Sequence, residues 1–323
     1  MSTVHTILVV THPSGTDGSG DELVEHLRAT FPDAALHTAS DLESALAAPS
    51  PDVLITGSFA WLPEYVRERP DLPWIHLLSA GADQLLTMDL PFERLRVSTS
   101  SGVHAATIAE YVLGGVLFFA KSFGHYAAQQ RERRWERGQL GEIEGQTIAV
   151  LGLGAIGEGI AARARAFGMR VIGTKRTPEP VEGVDEVFPS ERLHDVLAQA
   201  DAVAVTVPLS PATRGLIGAA AFAAMKPNAV FVNVARGAVV DESALVDALR
   251  ERRIAAAVLD VFETEPLPHD SPLWELENVL ITPHVSGSTP VYMRKAAEVF
   301  ARNVRSLEAT GELVTGVEVG RGY

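Results

Sequence analysis

The chain has 323 residues, a formal net charge of −14 and no cysteine. That length exceeds what one apolar core usually serves, so two lobes are expected. The acidic surplus works against nucleic acid and anionic lipid as partners, and the missing thiols exclude disulfides, thiol nucleophiles and thiolate metal sites.

The start, Met1 to His5, lacks the basic residues and long apolar stretch of a secretory signal. A cytoplasmic location is the expectation. Ile7–Val10 reads as a strand and Asp21–Phe31 as a helix. Val53–Ile55, Trp74–Leu78 and Leu95–Val97 read as further strands, which makes one small α/β unit. Ala105–Ala120 is more apolar than a one-faced surface helix should be. It carries Gly114 and Gly115, which permit close backbone approach, so it is expected between lobes or at a subunit interface. Its apolar part is too short to span a bilayer, and no membrane association is expected.

A second unit begins near Gly145. Thr147–Leu151 is a strand, Ile156–Phe167 a helix and Arg170–Ile172 the next strand. Ala202–Val207, Val230–Val234, Ala256–Asp260 and Val279–Ile281 continue the strands. Asp241 reads as the N-cap of a helix running to Arg250. Pro290–Thr310 is a long amphipathic helix whose natural partner is the first unit. The fold class is therefore α/β, with two Rossmann-like or flavodoxin-like domains built on parallel sheets. The expected division is a discontinuous domain, 1–101 with 286–323, and an inserted domain, 102–285.

Gly152-x-Gly154-x-x-Gly157 follows a strand and opens a helix, the setting in which this spacing holds a dinucleotide. Gly152 permits the tight turn, Gly154 lets backbone approach a pyrophosphate and Gly157 packs helix on strand. The helix start at Ala155 and Ile156 points N–H groups and the positive dipole end at the phosphates. At the end of the next strand, an NAD site usually places an acid that binds the ribose hydroxyls. Here Thr174, Lys175 and Arg176 stand there. These cations would pair with a 2′-phosphate, so NADP(H) is the preferred cofactor and NAD(H) the possible one.

Three further strand ends carry Arg236, Glu265 and His284. In an open parallel sheet these ends face the ligand crevice. Each residue alone is more often structural. Together they suit reduction of a carbonyl: His284 as proton donor, Glu265 as its orienting carboxylate, and Arg236 as the fork that grips a substrate carboxylate. No metal site is expected.

The glycine turn, Asn233–Asp241 (NVARGAVVD), Leu259–Pro266 (LDVFETEP) and Thr282-Pro283-His284 together resemble the D-isomer-specific 2-hydroxyacid dehydrogenases, over essentially the whole chain. The resemblance implies the roles just given, a small 2-oxo or 2-hydroxy acid as substrate and a homodimer. It also implies that backbone N–H groups of Ala80 and Gly81 hold the substrate carboxylate. It places Val207, Pro208, Val234, Ala235, Asp260, Gly287 and Thr107 near the cofactor, with Asp260 beside the nicotinamide amide. The basic Thr174-Lys175-Arg176 departs from the family's usual acid. A non-catalytic, dinucleotide-sensing relative of the corepressor type and an NADH-preferring phosphoglycerate dehydrogenase stand as alternatives.

Overall fold

The computed structural model describes residues 4–11 and 19–317. The chain divides into two compact units, Met1–His104 with Thr289–Tyr323, and Ala105–Ser288. Each junction lies three residues beyond the one expected (104 against 101, 288 against 285).

The first unit contains β1 (Thr6–Val10), α1 (Ser19–Thr30), β2 (Ala35–Ala39), α2 (Leu42–Ala47), β3 (Val53–Thr56), α3 (Leu62–Glu68), β4 (Trp74–Leu77), α4 (Asp83–Leu86) and β5 (Arg96–Thr99). Its parallel sheet has the order β2-β1-β3-β4-β5. Alternation along β1 explains why both faces are covered. Leu8 and Val10 enter one apolar cluster, and Ile7 and Val9 enter another on the opposite side. The second cluster includes Ala297, Phe300 and Val304 of the last helix of the chain, packed with Leu23 and Leu27 of α1. Phe300 meets the rings of Trp74 and Phe31 at 5.2 and 5.4 Å.

The second unit contains α5 (Ala105–Ala120), α6 (Phe123–Arg131), β6 (Thr147–Leu151), α7 (Ala155–Ala166), β7 (Arg170–Thr174), β8 (Glu186–Phe188), α8 (Leu193–Leu197), β9 (Ala202–Val205), α9 (Ala219–Ala224), β10 (Val230–Asn233), α10 (Glu242–Arg250), β11 (Ala256–Leu259) and β12 (Val279–Ile281). The closing helix α11 (Tyr292–Thr310) returns to the first unit. The second sheet runs β12-β11-β10-β9-β6-β7-β8, all parallel. Strand order reverses between β6 and β9, the switch point at which open parallel sheets bind ligands.

The apolar face of α5 buries Ile108, Ala109, Val112, Leu113 and Val116 in the second unit's core. Gly115 is required there, because a Cβ would lie 2.8 Å from the Val258 side chain. Gly114 meets no atom of its own chain within 4 Å of that position. Among the described residues, no single helix is long and apolar enough to cross a membrane.

Candidate active site

Because every strand of the second sheet runs the same way, the carboxyl ends of β6, β7, β9, β10, β11 and β12 share one edge. The glycine turn lies after β6. Gly152 adopts φ +105°, and a Cβ there would lie 3.0 Å from Val207 N. A Cβ on Gly157 would lie 2.3 Å from Gly152 O, so helix and turn touch as closely as the spacing requires. Gly154 differs. Its backbone is ordinary (φ −100°, ψ −164°), and nothing of the chain lies within 4 Å of where its Cβ would be. Internal packing does not demand a glycine at 154. An incoming pyrophosphate does, so these residues fit a dinucleotide.

The N–H groups of Gly152 and Leu153 donate to Thr174 O at 3.2 and 3.1 Å. The donors that remain to face a phosphate are those opening α7, at Ala155, Ile156 and Gly157. Thr206 Oγ1 closes the turn from the neighbouring strand, donating to Leu151 O and Gly152 O at 3.0 and 2.7 Å. Val207 is half-buried and Pro208 exposed beyond it. At the end of β7, Thr174 is buried (5% exposed), whereas Lys175 is half-buried and Arg176 exposed. The two cations, rather than the threonine hydroxyl, are displayed at that strand end.

Arg236 sits on a turn shaped by Asn233, which is 1% exposed. Asn233 Oδ1 accepts from Ala235 N at 3.1 Å, and Asn233 Nδ2 donates to Arg236 O at 3.2 Å. The turn presses on the next loop at Gly237, where a Cβ would lie 1.8 Å from the carbonyl carbon of Phe262. Only glycine permits that approach, and it brings the Arg236 turn against the loop that ends in Glu265. Arg236 is exposed, with Nη1 2.7 Å from Ala235 O. Val234 and Ala235 are both buried.

Glu265 uses both oxygens. Oε1 accepts from Phe262 N at 3.0 Å, and Oε2 lies 2.8 Å from His284 Nδ1. A carboxylate can only accept, so Nδ1 carries the hydrogen and Nε2 is the nitrogen left for chemistry. The His284 side chain is 51% exposed. Its backbone holds φ +55°, a conformation side chains rarely adopt.

Asp260 is fully buried. Its carboxylate accepts from Thr282 Oγ1, Val285 N and Ser286 N at 2.6, 2.8 and 2.9 Å. The residue expected beside the nicotinamide amide thus anchors the loop that carries His284. Gly287 is half-buried on the same loop, and Thr107 is half-buried near the start of α5.

Arg236, Glu265, His284, Asp260 and the glycine turn all belong to the second unit. Ala80 and Gly81 belong to the first, half-buried after β4, where Ser79 Oγ donates to Gly81 O at 2.7 Å. Sequence reasoning gave no role to Asn233, Gly237 or Thr282, although all three lie inside the quoted motifs. Tyr111, hydrogen-bonded to Thr282, had no local signal at all, since its partner lies 171 residues away. Among the described residues, no cluster of three His, Asp or Glu suits a metal ion.

A family model described as D-isomer specific 2-hydroxyacid dehydrogenase, NAD binding domain, matches residues 113–286. Glyoxylate/hydroxypyruvate reductase A of Yersinia enterocolitica is 31% identical over 278 residues, 82% of this chain and 87% of the relative. A D-3-phosphoglycerate dehydrogenase of Methanocaldococcus jannaschii is 35% identical over 270 residues. That match covers 82% of this chain but 51% of the relative, so the chain spans about half of its length. The crystal structure of a D-isomer specific 2-hydroxyacid dehydrogenase from Xanthobacter autotrophicus, in complex with NADPH and MES, superposes with a TM-score of 0.83. It is 35% identical, and the match covers 98% of this chain and 99% of that one.

Proposed function

The chain belongs to the D-isomer-specific 2-hydroxyacid dehydrogenase family, and we propose that within it the protein is a reductase of small 2-oxo acids that prefers NADPH. The observation that carries the reading is the Glu265–His284 pair at 2.8 Å, set on the sheet edge that also presents the glycine turn and Arg236.

When bound, the reduced nicotinamide supplies a hydride to the carbonyl carbon of the substrate. His284 delivers the accompanying proton from Nε2 to the oxygen on which charge develops. Glu265 holds the ring through Nδ1 and balances the charge of the imidazolium before transfer. Arg236 grips the substrate carboxylate and draws on its carbonyl. Ala80 and Gly81 carry, through their backbone N–H groups, the substrate-binding role that the resemblance gives them. The first turn of α7 takes the pyrophosphate, and Val207, Pro208, Val234, Ala235, Gly287 and Thr107 line the cofactor's path. Lys175 and Arg176 pair with the 2′-phosphate, in keeping with the NADPH bound to the Xanthobacter protein. The non-catalytic, dinucleotide-sensing alternative is not favoured, since the named relatives are dehydrogenases and reductases. An NADH-preferring phosphoglycerate dehydrogenase is the weaker reading, because the basic pair stands where that cofactor's acid would.

The test is a panel of glyoxylate, hydroxypyruvate, pyruvate, longer 2-oxo acids and 3-phosphohydroxypyruvate, each with NADPH and NADH. Turnover with higher kcat/KM for NADPH is expected. No turnover on any substrate would overturn the reading, and a preference for NADH would overturn its cofactor half. His284→Ala is expected to lower kcat by at least about a hundredfold while leaving NADPH affinity within a few fold. Loss of NADPH binding with kcat spared would contradict the proton-donor role.

A further inference from the structure

The loop that carries His284 is held from an unexpected direction. Tyr111, on α5, places its hydroxyl 2.7 Å from Thr282 Oγ1, and Thr282 Oγ1 lies 2.6 Å from Asp260 Oδ1. The carboxylate can only accept, so Thr282 donates to Asp260 and Tyr111 must donate to Thr282. The direction of the chain is fixed by chemistry alone. The same carboxylate takes the N–H groups of Val285 and Ser286, and Asp260 O takes the N–H of His284 at 2.9 Å. Residues 282, 284, 285 and 286 therefore all close on one buried aspartate.

This arrangement answers a question posed by the backbone. His284 is a side-chain-bearing residue at φ +55°, and such a conformation persists only where its surroundings enforce it. Remove the grip of Asp260 and the backbone relaxes, taking the imidazole away from Glu265. The grip in turn needs the threonine hydroxyl aimed at the carboxylate, and Tyr111 sets that aim by occupying the hydroxyl's acceptor side. Burial pushes the Tyr111 phenol up to about 12, with the Asp260 charge adding to the effect against the Thr282 hydrogen bond. It stays a donor through neutral pH.

The geometry points to Tyr111 as a positioning residue for the reaction, acting through Thr282 and Asp260 to hold the strained backbone that aims His284 at Glu265. The inference rests on the proton-donor role proposed for His284, and its test reads the ring without turnover.

The cofactor-free protein, labelled with 15N-histidine, is examined by long-range proton–nitrogen NMR, which distinguishes the Nδ1–H from the Nε2–H tautomer. His284→Gln assigns the signal. The unaltered protein is expected to show the Nδ1–H form at high pH. Tyr111→Phe and Thr282→Val are expected to lose it, giving a mixture of tautomers, while Thr282→Ser restores it. In kinetics, Tyr111→Phe should lower kcat about tenfold, with KM for NADPH within about twofold. Retention of the Nδ1–H form and of kcat in folded Tyr111→Phe protein would overturn the proposal, as would failure of Thr282→Ser to rescue. If the unaltered protein reduced no 2-oxo acid, the proton-donor reading would fall, and the tautomer measurement would still decide whether Tyr111 positions the ring.

Discussion

At the scale of single residues, burial and hydrogen bonding separate groups that react from groups that hold. His284 and Glu265 are paired but solvent-facing, as the proton-donor role proposed for His284 requires. His76 is the opposite case. It is fully buried between the Ser98 and Ser100 hydroxyls, at 2.7 and 3.3 Å, and burial pushes its pKa down from 6.5 to about 3. The folded chain therefore refuses a proton that the unfolded chain accepts below pH 6.5. Stability must fall as pH drops through 6.5 and level off only near the folded value. From pH 7 to pH 5 the loss from this group is expected to be about 2 kcal/mol. Urea denaturation of wild type and His76→Asn at both pH values checks it. An equal loss in the two proteins would show that the histidine is not the cause.

At the scale of elements, the site depends on loops that touch at glycines. Gly237 is the clearest, because a Cβ there would lie 1.8 and 1.9 Å from the carbonyl carbon and oxygen of Phe262. Backbone cannot yield as a flexible side chain can. Gly237→Ala is expected to cost roughly 3 kcal/mol of stability and to lower kcat by parting Arg236 from Glu265. Gly154→Ala is the matched control. Its added methyl meets open space, so chemical denaturation should find its stability within about 0.5 kcal/mol of wild type. Titration with NADPH should nevertheless find its affinity reduced. A Gly237→Ala protein as stable as wild type would show that the two loops can part without cost.

Elements with strong period were legible in sequence. Thr147–Leu151 and Val279–Ile281 appear as expected, and Asp241 caps α10 by accepting from Ala244 N at 3.0 Å. The edge strands β2 and β8 were not, although β5 and β12 at the opposite edges were. β2 (ALHTA) has a single buried residue and β8 (EVF) opens on an exposed glutamate, so neither shows the apolar run of a strand covered on both faces. The segment α6 was also missed, since its polar and apolar residues follow no helical stripe.

At the scale of the whole molecule, the exposed apolar residues are informative. Trp135 is 90% exposed, Phe123 55% and Leu140 49%, on α6 and the segment that follows it. We propose them as part of the contact in the homodimer that family resemblance implies, since exposed apolar patches mark interaction surfaces. Light scattering is expected to give twice the chain mass of 34.5 kDa, and Trp135→Glu to shift the population toward monomer. A monomeric wild type at micromolar concentration would refute it.

The sequence by itself determined the parallel α/β architecture, and it marked the glycine turn, the basic pair after β7 and, as candidates, Arg236, Glu265 and His284. The architecture, the turn and the pair are written in contiguous residues through periodicity and spacing, and the three candidates each follow a strand end. Only the tertiary structure decided how His284 is held. The resemblance places Asp260 beside the nicotinamide amide, yet in the fold its carboxylate is filled by Thr282, Val285 and Ser286. Tyr111 reads as part of an apolar helix, yet its hydroxyl completes that network from 171 residues away. A hydrogen bond requires partners within about 3 Å, and for residues so far apart along the chain only folding sets that distance.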